Sequence, residues 1–464
     1  MAQTNKIIYE NGKYNFMEKR KLVVIGGDAA GMSAASKVRR THKAWEIVVF
    51  ERGRYTSYAA CGMPYYIAGK VESADDLIAR KPEEFREKQN IDVRTLHEVM
   101  EIDPGKKRVR VRNLEKETEF WERYDDLLIA TGASPVRPDV AGIDADGIFG
   151  LSTLQSGLTV FDYMRDHRLK KAVIVGGGYI GIEMAEALLE RKMKVSLLDM
   201  ASEVMSTMDP DMGRLISVYM REIGVDLYLN EKLDHFESKM GKVSGIVTDK
   251  RTLEADLVIL GIGTKPNTTL ALKAGIVLGA KGAIRINKKM ETNVANIWAA
   301  GDCAESFHLV SERQVHIALG TVASKHGLIA GENISGGNEE FPGVVGTAIT
   351  KIMDLEISRT GLNEKELKDF DIPYKTSTIL SSTLPGYYPG AGEINVKLLV
   401  ERVSGRLLGG QIVGKQGAAK RIDTLATALT ARMTVRDLAF LDLSYAPPFS
   451  PVWDPLQIAA RGLL

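Results

Sequence analysis

The sequence has only two cysteines in 464 residues, Cys61 and Cys303. That scarcity excludes a disulfide scaffold and fits a reducing, cytoplasmic compartment. Seven histidines show no metal-ligand spacing and form no Cys/His cluster, so no metal site is expected. The net charge is +1, without a basic tract, which argues against a nucleic-acid partner. No apolar run approaches the ~20 residues needed to span a bilayer, so no membrane partner is expected. The polar stretch Met1–Arg20 lacks the apolar centre of a signal peptide, and Met17, before Glu18-Lys19-Arg20, offers a second start. Linkers rich in proline or serine are missing, and so is any separate module for a protein partner.

What is present is glycine, 44 residues of it, concentrated in short turns. Lys21-Leu22-Val23-Val24-Ile25 reads as a buried strand running into Gly26-Gly27-Asp28-Ala29-Ala30-Gly31 and a small-residue helix, Met32 to Arg39. A second strand, Ile47 to Phe50, ends in Glu51, 20 residues after Gly31. Glycines let backbone approach a pyrophosphate, the helix N-terminus stabilises its charge, and the carboxylate accepts hydrogen bonds from ribose hydroxyls. Asp28 departs from the pattern: it stands at the usual middle glycine, where a carboxylate is unfavourable unless it points away.

A second copy matches in full. Lys171 to Val175 leads into Gly176-Gly177-Gly178-Tyr179-Ile180-Gly181, and the strand Val195 to Leu198 ends in Asp199. An acid there suits the free 2′-hydroxyl of NADH and repels a 2′-phosphate, and Met200-Ala201-Ser202 supplies no arginine to bind one. NADH is therefore preferred over NADPH. Asp126 to Gly132 is a strand reaching a tight turn, Leu257 to Gly263 closes the second unit similarly, and Thr292 to Asp302 ends in Gly301-Asp302. The alternation in Glu393 to Val400 suits an antiparallel sheet with one exposed face. Ala418 to Arg432 reads as an amphipathic helix, and Met205, Met208 and Met212 as packing.

With these markers the chain resembles the pyridine nucleotide–disulfide oxidoreductases from Lys21 onward. The resemblance implies an α/β, glutathione-reductase-like fold: two Rossmann-type dinucleotide-binding domains plus a C-terminal α+β dimerisation domain. The divisions expected are 21–136 with 270–338 for FAD, 137–269 for NAD(P)H, and 339–464 for the interface of a homodimer with a shared active site. FAD is expected on Gly26, Gly27, Ala30, Gly31, Glu51, Arg52, Ala130, Thr131, Gly132, Gly301 and Asp302. NAD(P)H is expected on Gly176, Gly178, Tyr179, Ile180, Gly181, Glu183, Asp199 and Gly263. Glu183 reads equally as a nicotinamide-ribose contact or an exposed helix residue.

Cys61 selects a branch. It sits in Ser57-Tyr58-Ala59-Ala60-Cys61-Gly62-Met63-Pro64-Tyr65, and Tyr66 occupies the place of the second cysteine of a C-x-x-x-x-C motif. The segment most resembles coenzyme A-disulfide reductases. The first glycine turn lacks the histidine usual in the NADH oxidase and peroxidase branch. The same likeness assigns Tyr445 and Tyr387 (with Tyr388 its neighbour) to approach the sulfur from the opposite subunit.

With one thiol, the oxidised enzyme carries a mixed disulfide, a persulfide or a sulfenic acid. The reactive form is a thiolate, so the site is expected to lower the Cys61 pKa, aided by a helix N-terminus at Gly62, which would also admit the flavin. The polyanionic coenzyme A needs cations, and Lys37, Arg39, Arg40 and Arg54 are available, with Ser57 and Tyr58 for the pantetheine arm. Three other acceptors fit a flavoprotein of this kind: polysulfide, persulfide or elemental sulfur; oxygen; and metal ions or a protein partner. Cys303 reads as a buried core residue.

Overall fold

Leu22, Val23, Val24, Val48 and Val49 have no exposed surface. Their strands, Lys21–Ile25 and Glu46–Glu51, lie inside a parallel sheet covered on both faces, which rewards continuous β-branched runs. The computed structural model describes residues 19–464 together with the strands Ile7–Glu10 and Lys13–Phe16; Met17 lies outside the described residues.

The sheet order is Ile297–Ala299, Asp126–Ile129, Lys21–Ile25, Glu46–Glu51, Asp92–Thr95, all parallel. The strand Ile297–Ala299 joins it from far along the chain. A second sheet repeats the plan: Ile148–Gly150, Leu257–Leu260, Lys171–Val175, Lys194–Asp199, Asp226–Leu229. Each unit also carries a three-stranded antiparallel meander, at His97–Arg123 and Leu233–Glu254. The helix Ala29–Thr41 crosses Gly320–Ile334 closely because a side chain at Gly327 would overlap the Ala30 carbonyl, and one at Gly331 would meet Ala34. Met205, Met208 and Met212 are buried in the core, as is Cys303. No helix among the described residues is long and apolar enough to cross a membrane.

The C-terminal sheet is antiparallel, ordered Ala348–Ile352, Leu355–Gly361, Leu407–Gly414, Glu393–Glu401, Tyr374–Ser382. Two expectations change here. Glu393–Glu401 is central and buried along most of its length, so it has no solvated face; Lys397, which alternation would send outward, is 2% exposed. The segment from Ala418 is a 3₁₀ turn, Ala419–Arg421, followed by the helix Ile422–Thr430, and Arg432 adopts φ +55°, which ends the helix early.

Lys397 Nζ lies 3.1 Å from Asp209, 2.8 Å from Asp211 and 2.6 Å from Glu364. These three carboxylates could by geometry hold a metal ion, but the chain supplies its own cation. Burial opposes the ammonium charge; hydrogen bonds to Asp211 and Glu364 and the charge on Asp209 outweigh it and raise the lysine pKa. Removing one member of a buried ionic group leaves uncompensated charge, at a cost of about 3–5 kcal/mol. Lys397→Met therefore lowers the denaturant midpoint of unfolding clearly, whereas Lys88→Met, in an exposed i,i+4 pair with Glu84, shifts stability by no more than about 0.5 kcal/mol.

Candidate active site

The two glycine turns are near copies in space. Gly26 has φ +108° and Gly176 φ +105°, where a side chain would overlap the carbonyl of Ala130 or Gly261. Likewise, a side chain on Gly31 or Gly181 would overlap the carbonyl of Gly26 or Gly176. Each strand-end acid is braced by its turn. Glu51 accepts from the amides of Gly27 at 2.8 Å and Gly53 at 2.6 Å; Asp199 accepts from Gly177 at 2.6 Å and Ala201 at 2.8 Å. The carboxylates are thereby fixed beside the turns, as ribose recognition requires. Tyr179, Ile180 and Gly181 open the helix Tyr179–Glu190. Asp28 does point away from its turn: its Oδ1 accepts from the Tyr58 amide at 3.3 Å.

The first unit fits a flavin dinucleotide. Ala130-Thr131-Gly132 is held by Asn267, whose carbonyl accepts from Thr131 Oγ1 at 2.7 Å and whose amide nitrogen donates to the Gly132 carbonyl at 2.9 Å. Gly132 has φ +66° and faces open space, as does Gly263 at φ +101°, at the ends of a two-stranded ribbon, Ala133–Pro135 with Thr264–Pro266. Gly301 packs against Ala30. Asp302 Oδ1 is buried without a hydrogen-bond partner among the described residues, as a carboxylate reserved for a ligand hydroxyl would be. Burial raises its pKa, which His316 partly offsets. Arg52 lies at the surface, 3.7 Å from Glu98.

Cys61 is exposed, in the 3₁₀ turn Ala60–Gly62 that precedes the short helix Met63–Ala68. A side chain at Gly62 would overlap Leu77 Cδ2, so Leu77 fills the space beside this glycine. One expectation fails. The thiol pKa is raised, not lowered: desolvation contributes most, then the charges of Glu183, Asp302 and Asp28, with its own backbone amide opposing. Glu183 is neither simply exposed nor free. It accepts from Thr350 Oγ1 at 2.9 Å, and burial raises its pKa. One turn on, Glu186 binds Lys70 and Lys351, each at 2.6 Å, and the Met353 amide at 2.9 Å. The nucleotide helix thus clamps the C-terminal sheet beside the cysteine.

Of the four cations, geometry separates Arg40. Lys37 pairs with Glu332, and Arg39 is buried, donating to the carbonyls of His42, Lys43 and Asn90. Arg54 is exposed. Arg40 lines a cavity of about 390 Å³ with Ser57, Met32, Ser33, Ser36 and Arg80. Arg80 carried no sequence signal; it lies outside every motif and is brought in by the loop after Leu77. Tyr58 does not face this cavity's lining: its ring packs with the nucleotide-unit core, and burial raises its pKa, with a backbone bond at Leu154 opposing. Tyr387 and Tyr445 are exposed, and a hydrogen bond from the Tyr387 hydroxyl to that of Tyr445 raises the Tyr387 pKa, so the two hydroxyls stand together. Neither is among the groups acting on Cys61 of its own chain.

Residues 20–327 match the pyridine nucleotide-disulphide oxidoreductases, and residues 347–455 match the dimerisation domain of the same enzymes. An NAD(P)H sulfur oxidoreductase (CoA-dependent) of Pyrococcus furiosus is 42% identical over 96% of this chain and 100% of its own. A coenzyme A disulfide reductase of Staphylococcus haemolyticus is 34% identical over 93% of this chain and 96% of its own. The crystal structure of reduced Bacillus anthracis CoADR-RHD superposes with TM-score 0.93 at 35% identity, covering 96% of this chain and 80% of that one.

The packing of Gly62 gives a direct test. Gly62→Ala forces Leu77 aside, a strain of about 1–3 kcal/mol, and loosens the cysteine loop to limited proteolysis. Adding Leu77→Ala restores resistance.

Proposed function

The chain belongs to the pyridine nucleotide-disulphide oxidoreductase family, and from that premise we propose that it reduces coenzyme A disulfide with NADH through Cys61. The observation that carries this reading is the exposed sulfur of Cys61 in a chain whose other cysteine, Cys303, is wholly buried. No intramolecular disulfide can form, so the substrate supplies the second sulfur. Residues 21–136 with 270–338 would hold FAD, chiefly through Gly26, Gly31, Glu51, Gly132 and Asp302. Residues 137–269 would hold NADH, through the Gly176–Gly181 turn and Asp199. Bound FAD supplies the relay that passes two electrons from NADH to sulfur.

The Cys61 thiolate attacks one sulfur of the disulfide and expels one coenzyme A thiolate, leaving Cys61 in a mixed disulfide. Two electrons and a proton then release the second coenzyme A as its thiol and return the Cys61 thiolate. The sum is NADH, a proton and one disulfide giving NAD⁺ and two thiols. Arg40 and Arg80 would receive phosphates of the substrate, with Ser57 along the arm. Residues 339–464 would form the interface of a cytoplasmic homodimer. Leu380, Phe449, Val452 and Trp453 are exposed apolar side chains on that part of the chain, which suits burial against a second copy. Tyr387 and Tyr445 would then donate to the partner subunit's Cys61, stabilising the thiolate that its own carboxylates disfavour.

The 42% identity to the Pyrococcus furiosus sulfur oxidoreductase favours a second reading, reduction of polysulfide, persulfide or elemental sulfur at the same thiol. An oxidase reading has less support, because no histidine stands in the Gly26–Gly31 turn. Donation of electrons to metal ions or a protein partner would bypass the thiol.

Cys61→Ser separates these activities. Turnover of coenzyme A disulfide falls by at least about 10³-fold, while NADH oxidation by ferricyanide or oxygen persists. Retained disulfide turnover contradicts the reading. Comparing kcat/KM for coenzyme A disulfide and polysulfide in the native enzyme ranks the two sulfur substrates. Asp199→Ala narrows the preference for NADH over NADPH by about tenfold, or ~1.4 kcal/mol, in steady-state kinetics.

A further inference from the structure

Asp28 replaces a glycine without backbone strain. It has φ −108° and ψ −153°, and Gly178, its counterpart in the second unit, has φ −80° and ψ −168°. Both are extended conformations open to any residue. A side chain at Gly178 would also meet little, the Gly261 carbonyl at 3.8 Å being the one near atom. In backbone conformation and protein contacts the middle position of the turn accommodates a side chain, and the first unit carries one.

The use is at the cysteine loop. Ser57, four residues before Cys61, has φ +48°, a left-handed conformation that an ordinary residue holds only where surrounding contacts enforce it. Two consecutive residues of the glycine turn grip this point. The Gly27 carbonyl accepts from the Ser57 amide at 3.2 Å, and Asp28 Oδ1 accepts from the Tyr58 amide at 3.3 Å. The outer edge of the loop is tied by Ala59 to Leu77 and by Ala79 to Ser57, at 2.7 and 2.8 Å. Asp28 is the one side chain in this set of bonds.

Resting on the assignment of Cys61 as the exchanging thiol, we propose that Asp28 is the positioning residue of the cysteine loop, holding the Tyr58 amide against the strain at Ser57 and keeping a carboxylate within electrostatic reach of the sulfur three residues on. The second effect distinguishes it from a purely structural bond. The ionisable groups facing Cys61 are Glu183 from the nucleotide-unit helix, Asp302 from the flavin segment, Asp28 from the first turn and Tyr65 from the helix that follows Cys61, the three carboxylates disfavouring the thiolate. Asp28 is itself held up to about 6, by burial first and then by Glu51 and Asp302, against the Tyr58 amide. Across the range where a thiol titrates it is therefore charged.

The test uses the purified flavin-loaded full chain. Asp28→Asn keeps an acceptor for Tyr58 and removes the charge. Asp28→Gly, the residue of the second unit, removes both. In Asp28→Asn the pH midpoint of Cys61 alkylation by iodoacetamide, followed by intact mass, moves down by roughly half a unit, with hydrogen exchange of the peptide covering Tyr55–Cys61 unchanged. In Asp28→Gly exchange there rises about fivefold, the loss of one hydrogen bond, and Ser57→Gly added to it restores protection. An unmoved alkylation midpoint in Asp28→Asn overturns the proposal, as does unchanged exchange in Asp28→Gly; if Asp28→Gly does not fold, the Asp28→Asn profile alone decides. Neither readout involves coenzyme A, so a negative result leaves the substrate assignment standing.

Discussion

A single accessible thiol set among carboxylates constrains everything this active site can do. Cys61 has no second sulfur to pair with, since Cys303 is sealed in the core. Its oxidised form must then borrow a sulfur or an oxygen from outside the chain. The surroundings within one subunit act against ionisation: desolvation first, then Glu183, Asp302 and Asp28. A thiol held back in this way is protected from indiscriminate oxidation. In the proposed homodimer, groups beyond its own subunit would stabilise the thiolate at the moment of exchange. The paired hydroxyls of Tyr387 and Tyr445, exposed on the C-terminal part of the chain, are suited to that role.

The fold places the thiol at a junction. Two duplicated units each offer a glycine turn and a braced acid, and the helix Tyr179–Glu190 links the second to the C-terminal sheet. Glu183 reaches Thr350, while Glu186 gathers Lys70, Lys351 and the Met353 amide. Lys70 closes the helix that follows Cys61. One short helical face therefore touches the cysteine segment, the nucleotide turn and the sheet together. Farther out, Lys397 with Asp209, Asp211 and Glu364 ties the same two parts of the chain through buried charge.

The parts of this arrangement that depend on local spacing were legible in the sequence. Gly31 and Gly181 are required by contacts within one strand–turn–helix unit and Gly26 and Gly176 by the positive φ of the same turn, and Glu51 and Asp199 end the next strands, so a pattern of residues suffices to find them. Cys61 stood out through the residues around it. The contacts that sequence could not supply join distant segments. Asn267 supports Thr131 from 136 positions away, and Thr350 meets Glu183 across 167. Alternation misplaced Lys397, because a central strand covered on both faces no longer has a wet side. The expectation of a lowered thiol pKa failed for a similar reason: a helix start was visible along the chain, whereas Glu183 and Asp302 arrive from elsewhere.

The central claim is that Cys61 takes its second sulfur from a small substrate. Its most direct test is the intact mass of the protein under non-reducing, denaturing conditions after exposure to coenzyme A disulfide. A single coenzyme A adduct, mapped to Cys61 and released by dithiothreitol, is the predicted result. A protein of unchanged mass, or one carrying only added oxygen at that residue, contradicts it.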